Sequence, residues 1–156
     1  RENGIVMYVV KVMPNNELHK TIPLLRELNP HISENTLKER QNEMVANNYR
    51  CVGMFLDDEL IGISGVWILI KYYVGKHVEL DNVYLKKEYQ GKGLGQQMVS
   101  WILDYAKSLG CEASELNCYI HNDGGNKFWS SQGYEAIGYH YQRKLRPIEF
   151  PFAHMF

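Results

Sequence analysis

Gln90-Gly91-Lys92-Gly93-Leu94-Gly95 stands between two patterns of different period. Before it, His77 to Leu85 reads as a strand whose last part, Leu80 to Leu85, is largely apolar. After it, Gln96 to Leu109 places Val99, Ile102, Ala106 and Leu109 on one helical stripe, closed by Gly110. Three glycines in five residues make poor core and poor helix. They make a loop whose backbone N–H groups can close on an anion, with the positive end of a helix dipole directly behind it. The simpler alternative is a glycine-rich turn that only reverses the chain. The dinucleotide pattern G-x-G-x-x-G fails, since its last position falls on Gln96 or Met98. The triphosphate loop fails too, because Gly91-Lys92 is followed by Gly93 and not by Ser or Thr. The stretch does fill Gln/Arg-x-x-Gly-x-Gly/Ala, through Gln90, Gly93 and Gly95.

Outward from the loop, six strands and four helices are expected. Ile5 to Val12 reads as a strand. Glu17 to Leu28 has helical spacing, with Pro23 moving the true start to about Thr21 or Ile22. Asn29-Pro30-His31 is a break, after which Ser33 caps a helix that runs to about Ala46. Tyr49 to Leu56 and Glu59 to Leu69 form a hairpin across Asp57-Asp58, and Lys71 to Lys76 is a loop or strand end. Beyond the helix at Gln96, Ala113 to Tyr119 is a strand, Gly125 to Ser131 a short helix, and Tyr134 to Leu145 a final strand. A second motif lies in this part, Asn122-x-x-Gly125-x-x-Phe128-Trp129-x-x-x-Gly133-Tyr134.

The loop, this second motif and the order βααβββαβαβ together resemble the GNAT superfamily of acetyl-CoA-dependent N-acetyltransferases, over nearly the whole chain. The second motif is similar to the family's Asn-x-x-Ala-x-x-Phe-Tyr-x-x-x-Gly-Phe. The resemblance implies an α/β (mixed α+β) fold, with a central twisted mixed sheet of about six to seven strands flanked by about four helices. It implies one domain over residues 1–156. It also implies that Gln90, Gly91, Lys92, Gly93, Leu94, Gly95 and Gln96 hold the pyrophosphate of coenzyme A. Val83, Tyr84 and Leu85 would then lie along pantetheine, with Val83 and Leu85 pairing to it by backbone. Asn122 would contact it by side chain, Phe128 would belong to the coenzyme site, and Trp129 would wall the channel, with core packing on the short helix as its alternative role. Lys92 is as readily a solvated lysine.

The strand before the loop carries a feature visible without any family. Val78 and Leu80 share one parity, whereas Val83 and Leu85 share the other. One extra residue near Asp81-Asn82 restores the alternation, as a β-bulge does; a strand end or short turn is the alternative. An amine acceptor arrives as ammonium, and a lysine-like pKa of about 10.4 makes its deprotonation at pH 7 cost about 4–5 kcal/mol. Asp81 and Glu79, on one face beside the bulge, are the candidate proton acceptors, with Asp81 preferred and His77 third. Each is equally readable as an ordinary solvated strand residue.

Trp129 departs from the family pattern, in which many members have tyrosine as acid toward the leaving thiolate. Indole N–H donates a hydrogen bond but is no useful acid. A thiol pKa near about 8.5 makes thiolate a good leaving group, so water can suffice. Tyr119, Tyr134 and Tyr139 are possible substitutes with packing as their default role. Cys118 reads as a small buried hydrophobe. The tail residues Phe150, Phe152 and Phe156 read as packing, or as an oligomer arm.

Composition narrows the classes. The 156 residues suit one domain with a real core, with 45% hydrophobic and 22% charged residues. A net charge of −1 gives no electrostatic reason to expect nucleic acid. No run is apolar enough to span a bilayer, and Arg1-Glu2-Asn3-Gly4 lacks the core of a signal peptide. Three cysteines without a C-x-x-C pair, and scattered histidines, point to a reducing cytoplasm and no metal. The expected protein is an N-acetyltransferase acting on acetyl-CoA and a small-molecule or protein amine, as monomer or homodimer. A catalytically weak or inactive GNAT-like acyl-CoA sensor is the alternative.

Overall fold

The computed structural model describes residues 6–147; the expectations for Phe150, Phe152 and Phe156 lie outside it. The chain forms two compact units, divided between Glu115 and Leu116.

The first unit contains β1 (Tyr8–Val12), α1 (Ile22–Leu28), α2 (Glu34–Ala46), β2 (Arg50–Leu56), β3 (Glu59–Lys71), β4 (Gly75–Leu85), α3 (Leu94–Ser108) and nearly all of β5 (Ala113–Leu116). The strands lie in the order β1-β2-β3-β4-β5, and the first three pairings are antiparallel. The connection from β4 to β5 runs through α3, the kind of long helical crossover that parallel neighbours need. Pro23 sits in the first turn of α1, where its missing N–H costs nothing. The Ser33 hydroxyl accepts the Thr36 N–H at 3.1 Å and caps α2, as its sequence position predicts. Lys71 to Lys76 is shorter as a loop than expected: β3 continues to Lys71 and β4 begins at Gly75.

Two hydrophobic surfaces position the sheet. Met13, Leu18, Ile22, Leu25, Tyr49 and Ile63 belong to a buried cluster between α1 and one sheet face, with Trp67 and Tyr84 packed on it. On α3, Met98, Val99, Ile102 and Ala106 are buried. Each fully buried aliphatic side chain of this kind contributes about 1.5–3 kcal/mol.

The second unit holds α4 (Asp123–Ser131) and the chain after it. The strand expected over Tyr134–Leu145 is not formed. Among the described residues the sheet has five strands, not six or seven, and four α-helices as expected. Alternation specifies which side chains would share a face, but a strand also needs a backbone partner, which the pattern cannot supply. Ile137, Tyr139, Tyr141 and Leu145, the apolar residues that suggested a buried face, are all exposed.

Candidate active site

The irregularity in β4 is a bulge. Asp81 pairs with Gly65 and Tyr84 with Ile63, so Asn82 and Val83 together face the single residue Ser64. Asn82 takes up the extra residue with φ 44°, in the left-handed region that asparagine tolerates better than most side chains. Its side-chain oxygen accepts a hydrogen bond from Asn29 Nδ2 at 3.1 Å. Asn29 also donates to the Leu25 carbonyl at 3.0 Å, so the C-terminal end of α1 is tied to the bulge.

The bulge sets Asp81 on the face that carries Tyr49 and Trp67. Asp81 Oδ2 accepts the indole N–H of Trp67 at 2.9 Å. Asp81 Oδ1 is buried and has no hydrogen-bond partner. Burial, helped by the charge of Glu79, pushes the Asp81 carboxyl above the usual carboxylate range, against the hydrogen bonds from Trp67 and Asn82. Gly65 makes the room, because a Cβ there would lie 1.7 Å from Oδ1.

Two residues back on the same face, Glu79 is partly exposed. Its Oε2 lies 3.0 Å from His77 Nε2 and 3.8 Å from Lys71 Nζ. His77 is fully buried, with Nδ1 3.0 Å from the Gly75 carbonyl. A buried ring held at both nitrogens supports Glu79 and is a poor proton acceptor for an incoming amine. Burial pulls the His77 pKa down, but the Gly75 carbonyl and the Glu79 and Glu115 carboxylates outweigh it and leave it raised. Sequence reasoning missed Glu115, Trp67 and Gly65. A glycine inside an apolar strand is the signal that could have found Gly65, since it marks close approach of another group.

After β4 the chain makes a short 3-10 turn, Lys87–Tyr89, and enters α3. Gly91 and Gly93 have φ 75° and 79°, and a Cβ on either would meet open space. Gly93 is the N-cap of α3 and no side chain caps this end, so the first-turn N–H groups of Leu94, Gly95 and Gln96 point outward together. Gln90 Nε2 donates to the Leu85 carbonyl at 2.8 Å, which ties the loop to the end of β4. Lys92 Nζ lies 5.7 Å from the centre of the Tyr89 ring. An uncapped helix start behind two left-handed glycines fits a phosphate group.

In the second unit, Asn122 Oδ1 accepts the Gly125 N–H at 2.9 Å and caps α4. A Cβ on Gly125 would lie 2.4 Å from Asn122 Nδ2, so the glycine accommodates this side-chain position. Trp129 meets Phe128 and Tyr134 edge-on, with ring centres 4.9 and 5.3 Å away. Burial pushes the Cys118 thiol up, which leaves it a weak nucleophile.

Residues 18–134 match the sequence model of the acetyltransferase (GNAT) family. A probable spermine N(1)-acetyltransferase of Bacillus subtilis subsp. natto is 25% identical over 122 residues, which cover 71% of this chain and 80% of that protein. Among solved structures, an aminoglycoside N-acetyltransferase in complex with CoA superposes with a TM-score of 0.81 at 15% identity, over 94% of this chain and 100% of that one. Glucosamine-6-phosphate N-acetyltransferase of Arabidopsis thaliana superposes with a TM-score of 0.68 at 19% identity, over 90% and 99%.

Proposed function

The chain belongs to the acetyltransferase (GNAT) family, and from that premise we propose that it transfers an acetyl group from acetyl-CoA to a primary amine. Residues 1–156 act in this reading as one acetyltransferase domain. The loop from Gln90 to Gln96 takes the pyrophosphate. Val83, Tyr84 and Leu85 accompany pantetheine, and the family resemblance gives Asn122, Phe128 and Trp129 a part in coenzyme binding as well. The acceptor is a small-molecule amine, in keeping with the small amines named for the relatives.

Both substrates bind before reaction. The neutral amine nitrogen attacks the thioester carbonyl carbon, a C–N bond forms, the C–S bond breaks, and coenzyme A leaves as thiolate. Proximity supplies much of the acceleration, and a backbone N–H near Val83 receives the developing oxyanion. The amine proton passes to Asp81, directly or through one water. The unpartnered Oδ1 at the bulge carries this assignment: a buried carboxylate oxygen whose lone pairs meet no donor, on a group with a raised pKa, is poised to take a proton. Glu79 is the second carboxylate on that face and is already held by His77.

Trp129 favours one other reading, an acyl-CoA sensor without turnover, because indole supplies no acid to the leaving thiolate. Incubating the protein with acetyl-CoA and a panel of primary amines, with free thiol as the readout, separates the two. Thiol release that depends on the amine supports transfer. Calorimetric binding of acetyl-CoA without amine-dependent release supports the sensor.

A further inference from the structure

The two oxygens of Asp81 are treated differently. Oδ2 accepts the indole N–H of Trp67 at 2.9 Å, while Oδ1 is buried without a hydrogen-bond partner. A carboxylate that only tied strands together would have both oxygens satisfied, because an unpaired buried acceptor costs stability. Trp67 creates the asymmetry. It pairs across the sheet with Glu79, so its indole reaches Asp81 on the diagonal. Tyr49 packs on the ring, with centroids 5.3 Å apart and planes tilted by 56°. Trp67 also lines an open groove of about 290 Å³ with Arg40, Glu43, Met44 and Asn47. Phenylalanine would wall that groove equally well but would offer Asp81 no donor. Indole N–H donates and does not titrate. It holds Oδ2 whether or not Oδ1 carries a proton, so an arriving proton has one place to go.

We infer that Trp67 is a positioning residue for proton transfer: its indole N–H pins Asp81 Oδ2, leaves Oδ1 as the atom that takes the amine proton, and favours the ionised carboxylate. This rests on the acetyl-transfer reading above. The surroundings leave that task to Trp67. Burial pushes up the pKa of Tyr49 and that of Cys51, the latter to about 11, so both face Asp81 as neutral groups. Glu79 on β4 adds a like charge that works against ionisation. From α1, Asn29 acts only through Asn82 and is neutral. From α2, Arg40 and Glu43 bring opposite charges to the groove beside Trp67. Burial raises the Asp81 pKa and the hydrogen bonds of Trp67 and Asn82 lower it, so losing the Trp67 donor raises it further.

The experiment records kcat/KM against pH for wild type and Trp67→Phe. The substrates are acetyl-CoA and the primary amine of the panel above that the wild type turns over fastest. One amine serves both proteins, so its own ionisation cancels in the comparison. The acid limb of Trp67→Phe is expected at least about one pH unit higher, with the rate above the limb regained to within about threefold. The same shift should persist when both proteins carry Glu79→Gln. The Trp67 indole N–H resonance, identified by its loss in Trp67→Phe or by selective labelling, supplies a second readout. In the wild type it should titrate with the midpoint of the acid limb, and Asp81→Asn should abolish that titration. If Trp67→Phe fails to fold, this resonance decides alone. A lower rate with an unmoved acid limb would show that Trp67 only packs, and would overturn the inference while leaving acetyl transfer intact. A shift that vanishes in the Glu79→Gln background, or an indole resonance indifferent to the limb, would also overturn it. Turnover of no primary amine by the wild type removes the transfer reading and this inference with it.

Discussion

Asp81 Oδ1 occupies the space that Gly65 leaves empty: a Cβ on Gly65 would lie 1.7 Å from that oxygen and 2.9 Å from Tyr49 Cε2. Neither contact can exist, so Gly65→Ala must displace the carboxylate or open the β3–β4 pairing. Overpacking of this kind costs about 1–3 kcal/mol. Denaturant unfolding should show a loss in that range. In the double variant Gly65→Ala/Asp81→Ala the second substitution removes the nearer obstacle, so the two effects should be clearly less than additive. Additive losses would mean that the two groups do not share this space.

Asp81→Asn should leave the fold no less stable at neutral pH while lowering turnover. Burial raises the Asp81 pKa in the folded protein. The ionised form is therefore disfavoured by folding. The cost is absent below the unfolded pKa, about 3.9, and complete above the raised folded value, so it grows as pH rises through that interval. Melting temperatures of wild type and variant should diverge in the variant's favour from acid toward neutral pH. A variant that melts well below the wild type at neutral pH would show that the charge stabilises the fold.

These two predictions concern a place that was half legible in the sequence. The slip of parity between Leu80 and Val83 located the bulge, because a two-residue period cannot be broken without an extra residue. It also placed Asp81 and Glu79 on one face. It could not show that Asp81 is roofed by Trp67, since that contact is made across strands and depends on register. Nor could it show Glu115 beside His77, 38 residues away, for the same reason. Glycine spacing marked the loop before α3 because backbone conformation there is a local property. The expected strand at Tyr134–Leu145 failed for the opposite reason: its alternation is local, but its pairing is not.

The loop glycines should separate binding from folding. Gly95 lies in the first turn of α3 and has no left-handed φ, and valine is a better helix former than glycine. Gly95→Val should therefore keep or raise the melting temperature, yet weaken coenzyme A binding at least about tenfold by blocking the N–H groups, or about 1.4 kcal/mol. Gly93→Ala should instead lose about 1–2 kcal/mol of stability from its left-handed backbone. Unchanged coenzyme A affinity in folded Gly95→Val, read by calorimetry, would remove the loop from the binding site.

Trp129→Tyr supplies a phenol where the chain has an indole. If the thiolate leaves without an acid, turnover should change by less than about tenfold. A gain of about a hundredfold would show that the native protein lacks a needed acid and would favour the sensor reading.

The most direct measurement follows one acetyl group. Wild type and Asp81→Asn are each incubated with acetyl-CoA and a primary amine, and product mass, free thiol and acetyl-CoA affinity are recorded across a range of pH. The account predicts an amine heavier by one acetyl group, with one thiol released per amide formed. It predicts that Asp81→Asn binds acetyl-CoA with nearly unchanged affinity and turns over about 10²–10⁴ times more slowly at neutral pH. Part of that loss should return as rising pH supplies neutral amine. Acetyl-CoA bound without an amide product from any primary amine, or an Asp81→Asn variant as fast as the wild type at neutral pH, would contradict it.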